Sequence, residues 1–212
     1  MQNKNQHFRN CAKEFCKKVQ EFSNVSEVAI IGSVAGNDPY PNDIDIAIIL
    51  RNFDGIVTIA RYARQMSSYY PGWEVFVFNE NLEHFGRICH SKECPAQSAE
   101  CFIEDCGKIP HLKIISDFIY NEKKFFSSPF VILYPSGDKS LFLNHKKKLG
   151  ITKDKTYTVM EDIKKICRDC GKEFIIDGSE QKWFKSRGMH LPARCEDCRL
   201  KRQFGESDDF MI

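Results

Sequence analysis

Residues 30–50, IIGSVAGNDPYPNDIDIAIIL, set two apolar runs on either side of a polar loop. The first run, from residue 27 to 33 (EVAIIGS), reads as a short buried strand that breaks at Gly32. The Gly- and Pro-containing loop 34–42 follows, and residues 43–50 alternate before turning fully apolar, which predicts a second strand. Side chains alternate along a strand. Asp43 and Asp45 therefore share one face, while Ile44 and Ile46 point into a core. Two carboxylates roughly 6–7 Å apart on one face repel each other unless a hard divalent cation sits between them, so the pattern predicts a Mg²⁺ site. Gly32 lets the backbone approach a phosphate, and Ser33 offers it a hydroxyl and an amide. A third acid is available in Glu74, near the start of the apolar run WEVFVF. The bland alternative is a loop-capping Asp43 and a solvated strand residue Asp45.

Outward from this stretch, Phe8, Cys11, Phe15, Val19 and Phe22 recur at spacings of three and four, a helical stripe over 5–22. Residues 55–69 read as a helix stopped by Pro71-Gly72, and 73–78 as a strand. A helix is expected around 113–125 and a strand over Phe130–Tyr134. Strand, helix and strand in this order predict an α/β or α+β domain.

The chain has 212 residues, 31 Lys+Arg and 29 Asp+Glu. Residues 145–212 carry 16 basic and 12 acidic side chains, a local +4, and residues 1–144 carry 15 and 17, a local −2. Nothing in this balance demands a nucleic-acid partner. No apolar run approaches the roughly 20 residues of a membrane helix, and the polar first ten residues do not read as a signal peptide, so no membrane partner and a cytoplasmic location are expected.

Ten cysteines in such a chain favour metal ligation over disulfides. Near the end, CRDCGKEF and RCEDCR place Cys167 and Cys170, then 24 residues, then Cys195 and Cys198. Two Cys-x-x-Cys pairs make a closed tetrahedral Zn²⁺ site, structural rather than catalytic. In the middle, Cys89, Cys94, Cys101, Cys106 and His111 fall within 23 residues. Two ligand sets for a second Zn²⁺ follow, the four cysteines or Cys94, Cys101, Cys106 and His111. Buried free thiols are the alternative. Cys11 and Cys16 read as core or surface residues.

Gly32-Ser33, the acid–apolar–acid strand Asp43-Ile44-Asp45 and the later strand-borne Glu74 together resemble the polymerase-beta-type nucleotidyltransferase superfamily, in particular its small minimal members. SSPFVILY resembles that family's late strand. The likeness spans roughly residues 10–140. It departs from the family pattern in having Glu as the third acid and no Arg in the loop after Gly-Ser. The resemblance implies a nucleotidyltransferase-type mixed sheet and two Mg²⁺ ions held by Asp43, Asp45 and Glu74. It also implies transfer of a nucleoside monophosphate from a nucleoside triphosphate to an acceptor, which can be a small molecule, protein or RNA. The competing reading is a catalytically silent fold of this type, acting as a zinc-dependent module that binds nucleic acid or protein.

The tail, through Cys167, Cys170-Gly171, Phe174, Glu180-Gln181, Phe184, Gly188, Pro192, Arg194-Cys195 and Cys198-Arg199, resembles a zinc-ribbon family. The resulting organisation is a nucleotidyltransferase-like domain over 1–150 with a cysteine-rich insertion at 86–112, a linker at 151–160, a zinc ribbon at 161–202 and a tail at 203–212.

Overall fold

A computed structural model describes residues 4–69, 72–90, 109–113, 120–135 and 139–204. The chain divides into two compact units, Met1–Tyr157 and Thr158–Ile212.

The first unit is a six-stranded mixed sheet. Its strands are β1 (Val25–Ile31), β2 (Ile44–Leu50), β3 (Trp73–Asn79), β4 (His84–Ile88), β5 (Leu112–Lys113) and β6 (Phe130–Tyr134), in the order β5-β4-β3-β2-β1-β6. Only β2 and β3 run parallel; every other neighbouring pair is antiparallel. Helix α1 (Lys4–Val19) and helix α3 (Ile56–Tyr69) contribute to one core. The apolar positions predicted for α1 bury Phe8, Cys11, Phe15 and Val19, and Lys17 and Lys18 in the last turn complement the helix dipole. Phe15 meets Trp73 edge-on at 5.6 Å, an aromatic contact of about 1 kcal/mol beyond burial alone. Cys11 and Cys16 are buried in this core.

Strand periodicity separates two cores. Ile44, Ile46, Ile48 and Leu50 enter the first, while Ala47 and Ile49 enter a second with Phe76, Phe78 and Phe125, Phe126 and Phe142 from helices α4 (Glu122–Phe126) and α5 (Leu141–Lys148). A hydrophobic sheet face leaves the near ends of β2 and β3 for the acids: Asp45 shares a face with Ala47 and Ile49, and Glu74 with Phe76 and Phe78.

Three expectations change. The helix expected over 113–125 starts only at Glu122, where the Asn121 side chain caps the Lys124 amide, because Lys113 is held in β5; residues 114–119 lie outside the described residues. The insertion expected at 86–112 begins after Ile88 and ends before Leu112, since Arg87 and Ile88 pair with Lys113 and Leu112 in the sheet. The linker expected at 151–160 belongs to the first unit as far as Tyr157. Its Ile151 packs on the second core, the Ile151 amide donates to Lys146 O (3.2 Å), the Lys155 amide donates to Ser127 O (3.0 Å), and Asp154 pairs with Lys146.

The second unit holds a two-stranded antiparallel sheet, β7 (Ile163–Ile166) and β8 (Glu173–Ile176), then α6 (Gly178–Ser186) and α7 (Glu196–Phe204). Asp177 caps α6 by accepting from the Glu180 amide at 2.8 Å. Among its described residues only Cys167, Ile176 and Pro192 bury their side chains, so this unit has almost no hydrophobic core.

Candidate metal centres

The acidic centre forms where β1 ends and β2 and β3 begin. Parallel pairing sets Asp45 opposite Glu74, and antiparallel pairing sets Asp45 opposite Ile31. Immediately after Ile31 the chain turns through Gly32 (φ +72°) into the one-turn helix α2 (Gly32–Ala35). A Cβ at Gly32 would lie 3.1 Å from Asp45 Oδ2, so this position has both a left-handed backbone and no room for a side chain. Asp43 is exposed and packs near Gly72, where an added Cβ would lie 3.0 Å from Asp43 Cβ. The Ile44 amide donates to Gly72 O at 3.0 Å, which ties the chain before β3 to the start of β2.

Burial, with the charges of Asp43 and Glu74 adding to it, pushes the Asp45 carboxyl up to about 8. Asp43 and Glu74 are near enough to act on Asp45 through their charges, although among the described residues only the four tail cysteines gather three or more ligand atoms within reach of one ion; a shared divalent cation would relieve the repulsion among the acids. Ser33 Oγ is a buried oxygen that makes no hydrogen bond among the described residues, as a hydroxyl kept for a ligand would be. Both observations fit the donor set that Mg²⁺ and a phosphate require. The loop is pinned from α1, where Arg9 donates to Val34 O (2.7 Å), Ala35 O (3.2 Å) and Asn37 Oδ1 (2.9 Å).

Two residues at this centre escape the sequence reading. Arg87 on β4, only 7% exposed, brings Nε to 3.6 Å from Glu74 Oε1. Tyr157, from the stretch expected as a linker, lies against Gly36 in the field of Asp38, Asp45 and Asp43. Only the antiparallel β3–β4 pairing puts Arg87 near Glu74. For Tyr157 the one available signal was a lone aromatic in a polar stretch.

The central cysteines are reached only in part. Cys89 and His111, both 2% exposed, lie together, with the Cys89 amide donating to His111 O at 3.0 Å. Arg64 Nη2 is 2.8 Å from both Cys89 Sγ and His111 Nδ1. A guanidinium only donates, so Nδ1 accepts in this contact. Cys94, Cys101 and Cys106 lie outside the described residues.

In the second unit, Cys167, Cys170, Cys195 and Cys198 bring their sulfurs within 4.8 Å of one another. Cys170 Sγ and Cys195 Sγ are 3.8 Å apart, which matches the roughly 3.8 Å edge of a tetrahedron with 2.3 Å Zn–S bonds and is far too long for a disulfide. Gly171 (φ +71°) turns the knuckle between β7 and β8, closed by Gly171 N–H to Cys167 O at 3.0 Å. Backbone amides of Cys170 and Cys195 hold the Cys167 thiol down to about 6, and the crowd of neighbouring sulfurs pushes Cys198 up to about 12. The four cannot all ionise without a cation among them.

The second pair does not sit on a β-knuckle, as a ribbon would have it. Cys195 immediately precedes α7 and Cys198 lies in its first turn, three residues on along the same face. Residues 161–206 match the family described as "Probable treble clef domain". The C-terminal unit is a zinc-binding treble clef module carried by a mixed α+β chain. No curated protein and no solved structure matches the chain. Four arginines of the treble clef are engaged internally. Asp169 pairs with Arg194 (2.8 Å) and Arg202 (2.9 Å), Glu180 pairs with Arg199 (2.6 Å), and Arg187 stacks 4.2 Å over Trp183. Among the described residues no helix is long and apolar enough to cross a membrane.

Proposed function

We propose that the first unit is a Mg²⁺-dependent nucleotidyltransferase that moves a nucleoside monophosphate from a nucleoside triphosphate to an acceptor, with the treble clef as its zinc-stabilised accessory module. The observation that carries this reading is the pairing of Asp45 with Glu74 across parallel strands, with Asp43 just ahead of β2 and Gly32 against Asp45. Asp43, Asp45 and Glu74 would hold Mg²⁺, which supplies Lewis-acid activation of the acceptor hydroxyl and charge neutralisation for the leaving pyrophosphate. Gly32 brings bare backbone against Asp45, and the unpartnered Ser33 Oγ next to it would donate to a phosphate oxygen. Glu74 is the group suited to accept the acceptor's proton.

The ion pair between Arg87 and Glu74 supports the second reading, a catalytically silent fold with a binding role. A protein cation already neutralises the third acid there.

One experiment separates the two. The full chain, zinc-loaded, is incubated with Mg²⁺, each of the four α-labelled nucleoside triphosphates and a host extract, beside Asp43→Asn/Asp45→Asn. Labelling that disappears in the variant supports the transferase. Absence of labelling with all four nucleotides supports the binding module.

A further inference from the structure

We infer that Tyr157 is a positioning residue of the nucleotide pocket, its ring forming one wall and its hydroxyl donating to the bound nucleotide. This rests on the nucleotidyltransferase reading. Gly36 follows α2 and closes it by donating to Gly32 O at 3.0 Å. A Cβ there would lie 2.5 Å from Tyr157 Cε2, 2.7 Å from Cδ2 and 2.9 Å from Pro129 Cγ. Gly36 has an ordinary φ of −81°, so its backbone does not require glycine; the ring does. The turn is four residues long, and at 1.5 Å per residue its two ends are about 6 Å apart. Gly32 at one end touches Asp45, and Gly36 at the other carries the Tyr157 ring.

The ring is held there. The strap that delivers it is tied by the Ile151 and Lys155 amides and by the Lys146–Asp154 pair, and Lys155 Nζ stands 5.3 Å over the ring centroid. Tyr157 is half-buried between exposed neighbours. Burial and the charges of Asp38, Asp45 and Asp43 raise the phenol above its usual range, so at neutral pH it stays protonated and keeps an O–H to donate. The Asp45 carboxylate and the Ser33 hydroxyl lie at the Gly32 end of the turn, and the Tyr157 ring, with the Lys155 ammonium over it, lies at the Gly36 end. That division of charge suits a cation–polyphosphate ligand, in which carboxylates take the metal and donors take ligand oxygens.

The test is binding of the Mg²⁺ complexes of methylanthraniloyl-labelled ATP, GTP, CTP and UTP to the full chain, read by fluorescence, with Mn²⁺ binding read in parallel by electron paramagnetic resonance. Tyr157→Phe keeps the wall and loses the donor; it is expected to weaken nucleotide binding about fivefold and leave Mn²⁺ binding unchanged. Tyr157→Ala is expected to weaken it more than tenfold. Gly36→Ala displaces the ring from the other side and is expected to match Tyr157→Ala, with the double variant no worse than either, since both remove one wall. Wild-type affinity in Tyr157→Phe and Tyr157→Ala, with native circular dichroism, overturns the assignment of Tyr157 while leaving the transferase reading intact. A wild-type chain that binds none of the four nucleotides overturns both.

Discussion

Asp45 on β2 is the direct register partner of Glu74 on β3, and the two form the only parallel pair among the described strands. Parallel pairing at this one place puts two carboxylates side by side at the entry of both strands, with Asp43 beside them. An antiparallel partner for β2 would have put the start of one strand against the end of the other. The one neighbouring pair that keeps the same direction among the described strands is therefore what sets Asp45 beside Glu74.

Asp45→Asn is expected to stabilise the metal-free chain increasingly as pH rises from about 4 to 8. Below about pH 4 the carboxyl is protonated in both folded and unfolded chains. Above it the unfolded chain ionises freely, while the folded carboxyl keeps its proton up to about 8, so wild-type stability is lost through this window. Thermal unfolding followed across that range should give the variant a midpoint roughly 3–6 °C higher at pH 8 and a vanishing difference at pH 4. Saturating Mg²⁺ should erase the advantage. A pH-independent difference contradicts this account.

Divalent cation affinity should climb between pH 6 and 8 and level off above. Cation and proton compete for Asp45, and the proton is lost only near 8. Mn²⁺ titrations at fixed ionic strength measure this directly. A flat profile removes Asp45 from the ligand set.

Arg87→Met leaves Glu74 beside two other acids without its cation, and is expected to destabilise the metal-free chain by about 1–3 kcal/mol. Urea unfolding with and without Mg²⁺ distinguishes a charge effect from lost packing. Recovery of most of the loss by Mg²⁺ identifies charge, and no recovery identifies packing.

Gly32→Ala meets two penalties, a left-handed φ of +72° and a Cβ 3.1 Å from Asp45 Oδ2. Loss of about 1–3 kcal/mol is expected, together with weaker Mn²⁺ binding, because the carboxylate must move.

Zinc removal should unfold the treble clef and spare the first unit. The module buries only Cys167, Ile176 and Pro192 among its described side chains, so its folding free energy comes mainly from the metal. A strong chelator or Cys170→Ser should abolish zinc at the tail cysteines, measured by metal analysis. It should also release Arg187 from the already exposed Trp183 ring, changing its fluorescence, while the main thermal transition persists. A single transition lost in one step contradicts this separation.

The central elements could be read from the sequence because their signals are local. Period-3.6 spacing marks α1, period-2 alternation marks β2, and Gly32 with Asp43 and Asp45 marks the site within fifteen residues. Arg87 and Tyr157 reach the same place from strands and straps whose positions depend on pairing, which local patterns do not encode. The segment ending at Tyr157 has the polar composition of a linker. What fastens it is one ion pair and two backbone hydrogen bonds, one of which reaches back from Lys155 to Ser127. The helix carrying Cys198 was legible. Glu196 and Asp197 stand in its first turn and Lys201 and Arg202 in its last, the charge order a helix dipole favours, but the cysteine spacing alone suggests a knuckle.

The neck at Cys89 and His111 gives the sheet an insertion port. Arg87 pairs with Lys113, Ile88 with Leu112, and the Cys89 amide then closes on His111 O, so the two strands stay paired as far as Cys89 on one side and His111 on the other. Whatever length of chain leaves through that gate, the strands on either side keep the same partners, and doubling it costs only about 0.6 kcal/mol in closure entropy. Segments of new size and composition can therefore be exchanged at this position by recombination or by design, while the acids two strands away stay in register.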